Sequence, residues 1–369
     1  MKNEVAKLLL FHFTVPPYRV DFFNSLNGAF DMRFCAFSDH MISQPINYDK
    51  LKESLTFEPH WLLDRYNIGL TRIPKGIIAQ IRDFSPDIVL VSEYGVVTIM
   101  VLLYKYMKSK KFKVVSLCDD SYNQISEKND FRWTHRLARR IIAPLLDEII
   151  LVEPKVVALY QQKFQKGIFF PIVRDEVKYR KRLEYLFTHD KFNEFTQLES
   201  KNVFLFVGRL VKLKNVDLII EAFSKLDQTR NALVIIGEGP EEGKLKEMSK
   251  ECASSIIFTE RLEGDDLFKW YIYSDCLILA SLQEAFGAVT NEALLAGCWC
   301  LVSNRAGSRC LIKEGLNGFT FDPENVAELA EKMEQSLSYF SKGQMGIKEN
   351  RMLWKYKTLM NGLIEGLKK

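Results

Sequence analysis

Residues 204–223 read FLFVGRLVKLKNVDLIIEAF. An apolar run closed by Gly208 reads as a buried strand. Arg209 follows at the strand's carboxyl edge, where open α/β sheets bind ligands. Lys214 comes next, and from Val216 apolar residues recur with helical spacing. Strand, loop and helix in this order make a parallel-sheet unit, so this stretch sets the fold class as α/β. Two fixed cations beside a helix N-terminus suit a diphosphate. Ordinary basic residues of a solvated loop are the alternative reading.

Downstream the pattern repeats. Leu233–Gly237, Ser255–Thr259, Cys276–Ala280 and Trp299–Ser303 read as strands, and Glu241–Lys250 and Asn325–Tyr339 as helices. Residues 281–297 read SLQEAFGAVTNEALLAG. A helix begins near Val289, with Glu284 ahead of it and Glu292 in its first turns. Gly287 leaves the backbone open, so helix N–H groups can approach an anion. The two carboxylates then suit the hydroxyls of a sugar and a ribose. Glutamates at a helix start also serve the dipole alone.

Upstream, Leu8–Phe13, Met32–Ala36, Ile88–Val91, Lys113–Leu117 and Glu148–Val152 read as strands, with amphipathic Val97–Met107 and Arg136–Leu146 between them. This is a second alternating unit. A chain of 369 residues is too long for one ordinary core. Residues 1–172 form an N-terminal domain, the highly charged 173–201 a hinge, and 202–348 a C-terminal domain. A last amphipathic helix, 349–369, is expected to return to the first domain.

The composition, 47% hydrophobic and 27% charged, is that of a globular protein. Residues 1–175 hold 24 Lys and Arg against 19 Asp and Glu, a net +5, and residues 176–369 hold 27 against 28, a net −1, which together give the overall +4. The opening apolar stretch Leu8–Val15 is short, contains His12 and lacks a small-residue cleavage site, which argues against a signal peptide. No apolar run is long enough for a membrane-spanning helix. Seven scattered cysteines without a CxxC pair fit a cytoplasmic location. The Cys298-Trp299-Cys300 triplet has no second ligand cluster, so no metal is expected there.

In order, the motifs run GRL-x3-K-x2-D, VIIGEGPEEGKL, E-x-F-G-x4-E-A-x3-G and EGLNGFTFDPEN. Over about residues 203–335 this series resembles the C-terminal half of glycosyltransferase family 4 (group 1 glycosyltransferases). That family is retaining and has the GT-B fold: two facing Rossmann-like domains with an interdomain cleft. The resemblance implies that Arg209 and Lys214 bind the donor pyrophosphate. It implies that Glu284 holds hydroxyls of the transferred sugar and that Glu292 binds the ribose. Backbone at Phe286, Gly287, Ala288 and Val289 would contact sugar or phosphate. Gly208 would end the strand at the donor, Gly237 and Gly239 would keep a loop close to the nucleotide, and Arg261 and Leu262 would contact the base. The chain departs from the family at Glu260 and Ala285, where glycine is usual, and at Trp299-Cys300, where proline-valine is common. The first two departures bear on donor identity.

The N-terminal half matches less. Its first loop, FTVPPYRVDFFNSL at 13–26, looks like the "PPYR" opening of some bacterial glycosyltransferases. Tyr18 and Arg19 are therefore acceptor-side candidates, against a reading in which Tyr18, Phe22 and Phe23 simply pack the first helix. Where relatives often place a histidine, VSLCDDSYNQ at 115–124 offers Asp119 and Asp120. Either carboxylate suits an acceptor hydroxyl or the oxocarbenium-like transition state, and either suits a loop cap.

No D-x-D triplet occurs, so no metal cofactor is expected, and fixed cations with a helix dipole take its place. Arg132, Arg136, Arg139 and Arg140 with Trp133 read as a basic helical face, suited to anionic lipid or to solvent. The expected partners are a nucleotide-sugar donor and a saccharide or lipid-linked acceptor. Peripheral contact with the inner face of an anionic membrane is a further expectation, and nucleic acid is not one. An NDP-sugar epimerase, a phosphorylase and an inactive nucleotide-sugar-binding module are the rival readings.

Overall fold

A computed structural model describes residues 5–38, 51–68, 71–122, 125, 133–190, 195, 198, 200–340 and 347–369. The chain divides into two compact units, residues 1–172 with 357–369, and residues 173–356.

The strands of the first unit are β1 (Lys7–His12), β2 (Asp31–Ala36), β3 (His60–Trp61), β4 (Arg65–Ile68), β5 (Thr71–Pro74), β6 (Ile88–Ser92), β7 (Lys113–Cys118), β8 (Glu148–Leu151) and β9 (Ile168–Phe169). The main sheet is parallel, in the order β3-β2-β1-β6-β7-β8-β9, and β4 pairs antiparallel with β5. Helices α1 (Val20–Ala29), α2 (Ile77–Phe84), α3 (Val96–Met107), α4 (Trp133–Ile142) and α5 (Pro154–Phe164) connect the strands. Strands β1, β6 and β7 are covered on both faces, so their side chains read LLLF, IVLV and VVSLC without alternation. The order reverses between β1 and β6. The crevice at their carboxyl ends is where this sheet type holds ligands.

The second unit begins with α6 (Glu176–His189), which falls inside the charged 173–201 stretch. Asp175 Oδ1 caps it, accepting from Val177 N at 3.0 Å and Lys178 N at 3.2 Å. Strands β10 (Asn202–Val207), β11 (Asn231–Ile236), β12 (Ile256–Thr259), β13 (Cys276–Leu279), β14 (Trp299–Ser303) and β15 (Gly318–Phe321) form a parallel sheet ordered β12-β11-β10-β13-β14-β15. Its helices are α7 (Val216–Phe223), α8 (Glu242–Met248), α9 (Asp265–Tyr273), α10 (Val289–Ala296) and α11 (Val326–Ser336). Strand order reverses between β10 and β13. A large apolar cluster from β10, β11, β13, β14, α7 and α11 fills one side. Full burial of each such side chain contributes about 1.5–3 kcal/mol.

Trp299, where the family commonly has proline, is a core residue. Its ring stacks on Tyr339 at 4.0 Å, and the Arg351 guanidinium lies 5.1 Å from its centre. The last helix, α12 (Tyr356–Lys368), starts later than the expected Glu349, because residues 347–355 run outside any helix. It packs in the first unit, with Lys368 Nζ 5.3 Å from the Phe30 ring centre. The expected helix Arg136–Leu146 instead begins at Trp133, and beyond Ile142 it tightens into a 3-10 turn containing Pro144.

Candidate functional site

In the second unit, the ends of β10 and β13 flank the point where strand order reverses. Gly208 N donates to Ile236 O at 3.0 Å, and Leu210 N to Glu238 O at 2.8 Å. The loops after β10 and β11 are thereby laced together. A Cβ on Gly237, whose φ is +146°, would stand 1.9 Å from Gly208 O, and one on Gly239 2.3 Å from Leu210 O. The close approach of these two loops is the physical reason for both glycines. Arg209 is exposed at the turn and has no ion pair among the described residues.

Lys214 ends a 3-10 turn, Lys212–Lys214, just ahead of α7. Its ammonium forms an ion pair with the Glu284 carboxylate, and both side chains are mostly buried. Leu282 N donates to Leu213 O at 2.9 Å, joining the two loops that carry the pair. Behind Glu284, Ser308 N donates to Phe286 O at 2.7 Å. Gly287 has φ +94°, and a Cβ there would meet Leu279 Cδ2 at 2.5 Å. The chain thus turns sharply from Glu284 into α10. Phe286 is buried, so only its backbone is available to a ligand. Ala288 and Val289 are half-buried at the head of α10, and the next two N–H groups, of Thr290 and Asn291, donate to Gly287 O at 3.1 Å and Ala288 O at 3.0 Å.

Glu292 accepts from Arg174 Nη1 at 3.1 Å and from Tyr271 OH at 3.2 Å. Arg174 N also donates to Asn291 Oδ1 at 2.8 Å. Burial first, then the Glu292 charge, pushes the Tyr271 hydroxyl well above its ordinary pKa, so it stays a donor. Arg261 pairs with Glu263, and Leu262 beside it is half-buried. Arg174 and Tyr271 escaped the sequence reading. Neither stands in a motif, and only the fold brings them to Glu292.

The first unit holds a charged group at the ends of β1, β6 and β7. Arg19, fully buried, pairs with the partly exposed Asp119. Its guanidinium lies 6.0 Å from the ring centre of the half-buried Tyr18 and 5.8 Å from that of Phe22. Asp119 N donates to Glu93 Oε1 at 3.0 Å, and Cys118 Sγ to Glu93 Oε2 at 3.4 Å. Glu93, at the end of β6, has φ +57°, an uncommon conformation for a residue other than glycine. Burial, then the charges of Asp119 and Asp120, raise its pKa to about 7. His12, at the end of β1, donates from Nδ1 to Thr14 O at 2.6 Å. Burial and Arg19 lower its pKa to about 4, so it is neutral near pH 7.

Asp120 is buried and accepts from His135 Nε2 at 3.0 Å, Arg139 Nη1 at 3.3 Å and Tyr160 OH at 2.8 Å. Burial raises its pKa, but His135 and Arg139 outweigh that and hold it below the ordinary carboxylate value. Asp120 therefore organises this cluster, and Asp119 is the more accessible of the two. Glu93, Cys118 and Asp120 bring ligand atoms within 4.8 Å of one another. A cation among them would face the Arg139 charge, and Asp120 is already engaged by three donors.

The pairing of Arg139 with Asp120 corrects the expected basic face. Arg139 is buried, whereas Trp133, Arg136 and Arg140 are exposed, and Arg132 lies outside the described residues. Glu93 was the main omission of the sequence reading. Its signal was a lone carboxylate directly after an apolar strand, at a crevice edge.

Residues 188–350 match the family model described as glycosyl transferases group 1. An uncharacterized glycosyltransferase from Methanocaldococcus jannaschii is 32% identical over 143 residues, which is 38% of this chain and 37% of that protein. Sulfoquinovosyl transferase from Arabidopsis thaliana is 29% identical over 140 residues, 37% of this chain and 27% of that protein. The chain thus spans well under half the length of these relatives. Anabaena HepE in complex with UDP and glucose superposes with a TM-score of 0.71 at 15% identity, covering 98% of this chain and 99% of that one. The stretch matched by glycosyl transferases group 1 is therefore residues 188–350, and the chain as a whole has the two-domain GT-B fold of solved glycosyltransferases.

Proposed function

We propose that this protein is a glycosyltransferase that moves a sugar from a nucleoside-diphosphate donor to an acceptor hydroxyl, with retention at the anomeric carbon. The observation that carries the reading is the grouping of Arg209, Lys214 and Glu284 at the reversal point of the sheet matched by glycosyl transferases group 1. Retention rests on the resemblance to family 4. A UDP-sugar donor is favoured by the UDP and glucose held in HepE.

In the structure, Lys214 and Glu284 neutralise one another. An arriving diphosphate competes for the Lys214 ammonium, and that releases Glu284 to accept hydroxyl hydrogen bonds from the sugar. Arg209 supplies the second cation. Charge on the departing diphosphate grows in the transition state, so these contacts strengthen as the bond breaks. Glu292, held by Arg174 and Tyr271, presents a fixed carboxylate to the ribose. No metal is required in this scheme, since two cations and the head of α10 carry the phosphate charge. On the acceptor side, Asp119 accepts the hydroxyl's hydrogen bond, and Glu93 exchanges its proton near neutral pH.

Six of the seven cysteines are buried and all seven are free, which suits a reducing, cytoplasmic setting. No described helix is long and apolar enough to cross a membrane. Assembly of cell-surface polysaccharide, lipopolysaccharide or glycolipid is the pathway class we favour. An exposed basic helix carrying Trp133 favours an acceptor held at an anionic membrane.

The test starts from thermal-shift screening of NDP-sugars and continues with transfer kinetics for the donor found. Turnover should survive excess EDTA. Glu284→Gln should lower turnover most, and Glu292→Gln should chiefly weaken binding of free NDP. Normal transfer by Glu284→Gln, or NDP release without any acceptor, would overturn the reading.

A further inference from the structure

Two neighbouring helices of the first unit leave large apolar side chains in water. On α3, Ile99, Leu103, Tyr106 and Met107 recur at helical spacing; Leu103 and Tyr106 are each 55% exposed and Met107 77%. On α4, Trp133 is 73% exposed, and Leu137 and Ile141 continue its row, with Leu145 in the turn beyond. The two rows adjoin. Tyr106 OH donates to Leu145 O at 2.9 Å, and Lys105 Nζ pairs with Asp147 at 2.6 Å. A monomer's surface rarely exposes so many large apolar side chains together without a partner.

The charged side chains carried by the two helices themselves are all basic. Neither α3 nor α4 contains an aspartate or glutamate. Lys108, Lys110 and Lys111 follow directly on the exposed end of α3, and Arg136 and Arg140 are exposed on α4. Asp147, an acid beyond the end of α4, is engaged by Lys105 and by Val114 N. A second copy of this chain would bring the same basic rim against itself, so the charge disfavours self-association.

We propose that the outer faces of α3 and α4 together form a docking surface for an anionic lipid bilayer. The apolar rows enter the headgroup boundary, Trp133 sits at that interface, and the lysines and arginines meet the anionic headgroups. This replaces the single-helix basic patch of the sequence reading with a two-helix apolar face and a basic rim. It does not depend on the reaction the protein catalyses.

The test is sedimentation of the full chain with vesicles of phosphatidylcholine alone and of equal parts phosphatidylcholine and phosphatidylglycerol. The protein should partition onto the anionic vesicles only, and high salt should release it. Replacing Lys108, Lys110 and Lys111 with serine should weaken that partition about a hundredfold. The double variant Leu103→Asp with Leu137→Asp should abolish it, with UDP affinity by calorimetry unchanged as the check on folding. In the unmodified chain, deuterium uptake across α3 and α4 should fall on anionic vesicles, a readout that needs no variant. Equal partition onto both vesicle types, sedimentation indifferent to both variants, or a dimer in solution that Leu103→Asp disperses would each overturn the proposal.

Discussion

Arg209 and Lys214 carry the same charge five positions apart, but in different settings. Arg209 is exposed, and Lys214 is mostly buried against Glu284. Truncating either to alanine should reduce turnover about a hundredfold, roughly 3 kcal/mol of transition-state stabilisation. Only Lys214→Ala should also lower the melting temperature, because it leaves the Glu284 carboxylate without its partner. Unchanged turnover in both variants would remove the diphosphate assignment.

Glu93 makes a second residue-level case, through pH. Its carboxyl titrates near 7 in the folded state against 4.5 ordinarily. The folded protein therefore holds a proton that the unfolded chain releases between those values, and this contribution to stability falls as pH rises. His12 works the other way. Its folded pKa of about 4 lies below 6.5, so stability from this group rises with pH between those values. The two slopes oppose each other across most of the acid range, and a scan of the native protein alone would hide both. The comparison with Glu93→Gln isolates the carboxyl. The variant should gain stability relative to the native chain on going from about pH 5 to about pH 8, by at most about 3 kcal/mol. Parallel melting curves across that range would show that Glu93 is not perturbed.

At the level of elements, the proposed donor site rests on how closely two strand-end loops approach. The loops after β10 and β11 meet through backbone at Gly208 and Gly237. Gly237→Ala places a Cβ in contact with a carbonyl at 1.9 Å and at a φ of +146°. Relief requires the loop carrying Arg209 to move, at a cost of at least about 2 kcal/mol. Calorimetry should show weakened UDP binding together with a lower melting temperature. Gly243→Ala, on α8 with open space around its Cβ position, is the matched control and should leave UDP binding unchanged without lowering the melting temperature. Equal behaviour of the two variants would mean that the loop approach does not shape the donor site.

For the whole molecule, the proposed donor residues all lie in the second of the two units, and exchange measurements test that placement. With UDP alone, hydrogen exchange should slow in residues 208–214 and 284–292 of the C-terminal unit. It should stay unchanged at residues 12–19 and 117–120 of the N-terminal unit. Protection confined to the first unit would reverse the assignment of donor and acceptor sides.

The sequence by itself determined the two doubly wound units and their principal strands. Strands buried on both faces must be apolar throughout, and glycines at their ends are forced by backbone contact, so both features stand in the local sequence. It left out β3, β9, β15 and the β4–β5 pair, which are too short to show a period. Charge pairing was decided only by the tertiary structure. Lys214 and Glu284 lie 70 positions apart, Arg19 and Asp119 100, and Arg174 and Glu292 118. Which carboxylate meets which cation depends on which strand ends become neighbours, and strand order is a property of the packed sheet. For the same reason Arg139 turned inward to Asp120 while Trp133 stayed in solvent. Helical spacing placed both on one short helix, and only the neighbouring β7 loop decided which of its faces was buried.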